Sequence, residues 1–209
     1  YDQFHSKKDQ IYRVTQDRYD NGTLSTQWAA GAYAVGNTFK DAYPEIVDYV
    51  KITQAGNVVV KENNNLFKIE HTYFATPSFF TVFTYPLLYG NAATALKEPY
   101  HCVLSAKMAK KIFGTDKVLG KTMLVNNDKL YTISGVMADM PGNTHFSTEI
   151  LFSYSSFIDL VGPNNNPETA WGWDGCLTYL LLKKGTDPKQ LEKKFPVLVQ
   201  AKAGPELKQ

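Results

Sequence analysis

Between Ser105 and Gly114 lie eight residues, AKMAKKIF, whose apolar side chains recur at i,i+4: Met108 with Ile112 and Ala109 with Phe113. Lys107, Lys110 and Lys111 fall largely outside that stripe. Ser105 can accept a hydrogen bond from the first free N–H groups, and Gly114 stands where a left-handed cap costs least. The two late lysines suit the negative end of the helix dipole. The spacing therefore predicts a helix over 106–113. It sits in a longer unit, residues 103–146, that reads as helix, tight turn and two strands joined by a hairpin, followed by a Pro- and Gly-punctuated exit.

The same unit carries a false lead. Gly120-Lys121-Thr122 imitates the end of a phosphate-binding loop, but five residues separate Gly114 from Gly120 where the motif has four. The order here is helix, turn, strand, and the motif needs strand, loop, helix. Nucleotide binding is not expected of it.

Other chemistry is equally sparse. His5, His71, His101 and His145 form neither HExxH nor an i,i+4 pair on an expected helix, and no G-x-S-x-G elbow presents a serine. Asp17 and Asp20 fall at a strand end and a turn, where solvated roles are the default. Cys102 and Cys176 lack the second pair a zinc site requires; a disulfide closing a long loop and two buried thiols both fit the sequence. With 22 basic against 20 acidic residues and the lysines scattered, there is no basic stripe for nucleic acid. The reading is of a noncatalytic domain that holds no cofactor or metal.

The chain is long enough, at 209 residues with 44% hydrophobic, to bury a substantial core. No run approaches the length of a membrane helix. It opens on Tyr1 without a methionine, as a piece of a longer protein would.

In chain order, 10–18 reads as a strand, Asp20-Asn21-Gly22-Thr23 as a turn, and 29–43 as a helix that ends before Pro44. A strand at 47–53 is set apart by Gly56-Asn57 from a hairpin of 58–61 with 66–75. Pro77 opens a short helix carrying Phe79, Phe80 and Phe83. That cluster reads first as core, with a partner-contact surface as the alternative. Residues 150–157 and 177–184 read as strands. Asp187-Pro188 starts a last helix, which Pro196 should kink and Gly204-Pro205 should end or bend.

The resulting fold class is α+β in two subdomains. Residues 1–70 and 150–209 are expected to form a porter-like mixed sheet with helices, and 71–149 an inserted, mainly β subdomain. Two chain crossings between them would permit a hinge.

Several pieces together resemble the extracytoplasmic core domain of MacB/FtsX-type ABC-transporter permeases. They are Tyr1-Asp2-Gln3-Phe4-His5 with Ile11-Tyr12-Arg13-Val14; Phe79-Phe80 with Phe83, Pro86-Leu87-Leu88 and Gly90; Val103-Leu104-Ser105 with Ala109-Lys110-Lys111 and Phe113-Gly114; Leu119-Gly120-Lys121; and Tyr131 to Val136 with Asp139-Met140-Pro141. The order and spacing carry the likeness, which spans nearly the whole chain. The resemblance implies a periplasmic domain between the first two membrane helices of a bacterial inner-membrane permease, resembling a split βαβ fold in its membrane-proximal part. It implies an ABC ATPase, separate or fused, that binds ATP elsewhere, a second permease copy, and in some relatives an adaptor and an outer-membrane channel. The work would be mechanical, serving export, lipoprotein release or signalling. The alternative is a stand-alone extracellular module that binds a protein or ligand through its aromatic surface.

Overall fold

The computed structural model describes residues 5–140, 142, 144 and 147–207, the last three by backbone alone. After a 3-10 turn at Lys8–Gln10 come β1 (Ile11–Arg13), β2 (Gln16–Asp20), β3 (Thr23–Trp28), β4 (Gly31–Ala32), α1 (Val35–Ala42) and β5 (Ile46–Glu62). Next are β6 (Asn65–Ala75), α2 (Phe79–Val82), β7 (Leu87–Gly90), β8 (His101–Ser105), α3 (Ala106–Phe113), β9 (Thr122–Val125) and β10 (Lys129–Met137). The chain closes with β11 (Ile150–Ser153), α4 (Tyr154–Val161), a 3-10 turn at Pro167–Thr169, β12 (Asp174–Leu182), α5 (Pro188–Glu192) and α6 (Phe195–Leu207).

These elements divide into two compact units. The central unit takes Tyr1–Lys8 and Ile52–Asn164, and the end unit takes Asp9–Lys51 and Asn165–Gln209. The division differs from the 70 and 150 boundaries expected above. Tyr73 of β6 pairs in parallel with Leu151 of β11, and Val60 of β5 pairs with Val125 of β9, so the β5–β6 hairpin belongs to the sheet of the insert. The rings of Tyr154 and Phe157 on α4 pack together, and Phe157 meets Phe74 of β6, which draws α4 into the same unit. The chain consequently passes between units three times, at 8/9, 51/52 and 164/165, and not twice.

In the central unit the strand order is β5-β6-β11-β8-β10-β7, with β9 pairing both β10 and β5. The β8–β10 and β6–β11 pairs are parallel, and the other registered pairs are antiparallel. Helix α3 forms as its sequence dictates. Ser105 Oγ accepts from the N–H of Met108 at 3.0 Å, and Gly114 takes φ +73°. Asp139 adds a second cap, its Oδ1 accepting from the N–H of Lys107. Gly56, at φ +78°, does not end a strand: it marks a bulge in the 17-residue β5, where the register with β6 shifts.

The end unit orders β1-β12-β5, with β4 on β12 and the β2–β3 hairpin separate. Asn21 and Gly22 take φ +48° and +79°, both positive as the favoured two-residue hairpin turn requires. Helix α1 is shorter than expected because Gly31-Ala32 is recruited into pairing with β12 and the N–H groups of Tyr33 and Ala34 bond the carbonyls of Trp173 and Ala170. Residues 154–157 similarly turn from strand to helix after Ser153. Instead of kinking a long final helix, Pro196 lies in the first turn of α6, where its missing N–H costs nothing, and α6 runs on through Gly204-Pro205.

Candidate functional site

The end unit contains a cleft of about 650 Å³, walled by the β1–β2 connection, α1, the segment around Trp171 and α6. Its floor is apolar. Phe195, Val199 and Ala203 recur every four residues along α6 and turn one face toward α1. The Phe195 and Phe39 rings stand 4.3 Å apart, and Tyr43 closes the triad at 5.5 Å from Phe195. Trp171 packs against the same cluster.

The rim is polar, and its groups are spent on one another. Gln16 and Arg18, two apart on β2, share a face and both reach Asp174 of β12. Arg18 Nη2 lies 3.1 Å from one carboxylate oxygen, and Gln16 Nε2 donates to the other at 3.2 Å. The Arg18 guanidinium also lies over the Trp28 ring at 5.0 Å. Asp17 accepts from Gln27 across the hairpin.

Deeper in the unit, Lys51 is fully buried. Its ammonium donates to the Tyr33 carbonyl at 3.2 Å, to Asn37 Oδ1 at 3.4 Å and to Glu168 Oε1 at 2.6 Å, so each of its three protons has an acceptor. Burial lowers its pKa, and Glu168 opposes that shift. Burial, with help from Glu168, pushes the neighbouring Tyr49 phenol up to about 12. A reactive lysine needs access as well as a depressed pKa; this one has no access and acts as a tie between β5, α1 and the Pro167–Thr169 turn. The arrangement can hold apolar groups and resist deformation. It offers no paired nucleophile and base.

Phe79, Phe80 and Phe83 do not form a partner-contact surface: all three are at most 4% exposed. The short α2 turns them into the central unit, where Phe79 meets Phe83 at 5.3 Å and stacks on Tyr85 at 5.7 Å. His5 is buried in the same aromatic group, 4.9 Å from Tyr85. His71 is exposed at a positive-φ position beside a bulge, and His101 lies on β8; His145 is outside the described residues. In the Gly120-Lys121-Thr122 loop the N–H groups of Gly120 and Lys121 bond the carbonyls of Ile133 and Val118, so they do not converge on an open anion site. Lys121 instead covers the Phe113 ring at 5.2 Å. Cys102 and Cys176 are free, buried thiols. Among the described residues no group of three or more His, Cys, Asp or Glu is placed to hold a metal ion, and no helix is long and apolar enough to cross a membrane. The apolar floor was foreshadowed by the α6 pattern. The rim was not, because Arg18 and Asp174 are 156 positions apart.

The fold is that of extracytoplasmic transporter regions. A domain assigned to a permease protein from Porphyromonas gingivalis superposes with a TM-score of 0.79 at 22% identity, over 95% of this chain and 83% of that one. The periplasmic region of MacB from Actinobacillus actinomycetemcomitans gives 0.66 at 17% identity, over 93% and 85%. The extracellular domain of the noncanonical ABC-type transporter YknZ from Gram-positive bacteria gives 0.58 at 12%, over 94% and 92%. No curated protein matches the chain significantly in sequence. The chain belongs to the MacB-like periplasmic core domain family, which it matches over residues 1–196. It is thus a periplasmic domain of an ABC-transporter permease of the bacterial inner membrane, a family whose members work with an ATPase.

Proposed function

We propose that this domain is a noncatalytic coupling element that passes ATP-driven motion of a cytoplasmic ATPase to the periplasmic side. One observation carries the reading: residues 9–51 and 165–209, segments from the two halves of the chain, are tied into one compact unit. Arg18 to Asp174, Lys51 to Glu168 and Glu45 to Lys194 are ion pairs between the two segments, and β1 pairs with β12 from Ile11↔Leu181 to Arg13↔Tyr179. Force entering through either of these segments reaches the same body, and the central unit, a second compact unit, is what that force would move. ATP is bound on the ATPase, and this domain needs no cofactor. A second permease copy, and for export a periplasmic adaptor with an outer-membrane channel, are the partners such motion would serve; lipoprotein release and signalling would use the same motion.

The test is a complete permease, reconstituted with its ATPase, carrying Arg18→Gln, Glu168→Gln and Lys194→Gln together. It should keep its circular dichroism and its ATP hydrolysis, yet yield less work per ATP than the parent. Unchanged yield per ATP, or bond-cleaving activity in the isolated domain, would overturn the proposal.

A further inference from the structure

The central unit carries, on the outer face of its sheet, an apolar row whose end leucines are exposed and whose Leu124 is half-buried. Register fixes it. Lys61 of β5 stands opposite Leu66 of β6 on one side and Leu124 of β9 on the other, and Leu124 stands opposite Leu130 of β10. Directly paired residues share a face, so Leu66, Lys61, Leu124 and Leu130 form one line across four strands, about 14 Å long at the usual strand spacing. The opposite face is the core side, with Val60, Val125, Met123 and Tyr131 buried. On the outer face Leu66 is 68% and Leu130 62% exposed, and Val59, two residues from Lys61, is 40% exposed.

The charge pattern selects the occupant. Lys68, opposite Val59, is matched by Glu70, whereas the Lys61 side chain makes no ion pair or hydrogen bond among the described residues. It is a single unmatched cation set between leucines. We infer that this face docks a protein segment that places a carboxylate over Lys61 and apolar side chains over Leu66, Leu124 and Leu130. A second copy meeting the same face about a two-fold axis would bring Lys61 toward Lys61. A lipid surface would have to accept an ammonium in the middle of the apolar row, where snorkelling to the rim is hardest.

The experiment places a photo-crosslinking residue at Leu130 of the complete permease in its native envelope and identifies the linked segment by mass spectrometry. The expected product is a protein segment with Asp or Glu flanked by apolar residues. Lys61→Glu should cut its yield about tenfold, and replacing the partner's carboxylate with lysine should restore it. Lys61 is exposed, so the substitution leaves the core untouched. Links to lipid or to a second copy, absence of any link, or a yield indifferent to Lys61→Glu would each overturn the inference.

Discussion

The ammonium of Lys51 lies 2.6 Å from Oε1 of Glu168, with the lysine side chain fully withdrawn from solvent and that of Glu168 29% exposed. The pair is asymmetric. Removing the carboxylate leaves a buried cation with two neutral acceptors, whereas removing the cation leaves a carboxylate that water can still reach. Glu168→Gln should therefore destabilise by about 2 kcal/mol, below the loss for a wholly buried pair because Glu168 is partly hydrated. Lys51→Met in the Glu168→Gln background should recover part of that loss in urea unfolding. A double variant less stable than Glu168→Gln would show that lysine packing, not the charge, dominates.

The same burial gives a pH dependence whose sign can be worked out. Lys51 titrates below 10.5 when folded, so between its folded value and 10.5 the unfolded chain binds more protons and this site's contribution to stability rises with pH. Tyr49, Tyr100 and Tyr131 are raised from 10.0 to about 12, the first and last chiefly by burial and Tyr100 chiefly by its hydrogen bond to Asp159. Their contribution is complete below pH 10 and is lost as pH climbs toward 12. Stability measured against pH should thus fall above 10 in the parent. The difference between parent and Lys51→Met should rise with pH below 10.5, and a flat difference would contradict the lysine assignment.

What could be read from the sequence was local. Helix α3 was legible because cap, stripe and terminal glycine fall within ten residues, and the β9–β10 hairpin because Asn126 and Asn127 accept the positive φ its turn needs. Strand β5 was misread at Gly56, since a glycine at positive φ serves a bulge as well as a turn, and only the partner strand decides between them. Helix α1 was overextended for the same reason: the pairing of β4 with β12 lies outside any local window. The Arg18–Asp174 pair of the cleft rim and the Lys51–Glu168 pair join residues 156 and 117 positions apart, and nothing in either segment alone announces them.

Two glycines separate tolerable from intolerable crowding. A Cβ on Gly36 would sit 2.6 Å from Cδ2 of Tyr49, a side chain that can rotate away in part. On Gly90 it would sit 2.5 Å from the carbonyl oxygen of Ser134 and 2.9 Å from Cα of Gly135, with φ already at +100°. Backbone cannot yield without breaking the β7–β10 pairing at Gly135↔Gly90. Gly90→Ala should cost about 3 kcal/mol or more, and Gly36→Ala less, in chemical unfolding of the domain. The reverse order would mean that α1 is the more rigidly seated element.

The two caps of α3 should act separately. Ser105→Ala and Asp139→Ala each remove one acceptor from a different N–H, that of Met108 and that of Lys107, and each should cost about 1 kcal/mol. Additivity in the double variant would show independent caps. A double loss no larger than either single one would show that freeing one N–H already frays the first turn.

The two thiols should be silent until the fold opens. Cys102, in β8 between buried neighbours, has its thiol pushed well above the ordinary range by burial, so little thiolate forms near neutrality, and Cys176 is buried in β12. Reaction with a thiol reagent at pH 8 requires both access and thiolate, and the native fold withholds access from both cysteines. The native domain should therefore show no fast-reacting thiol, while the unfolded domain, without added reductant, should show two. Cys102→Ser should lower the unfolded count to one and leave the native rate at the background level. A count of zero in the unfolded, unreduced protein would mean that the cysteines are bridged. A fast native reaction that disappears in Cys176→Ser would mean that the cleft, which Cys176 helps to line, opens far enough in solution to admit the reagent.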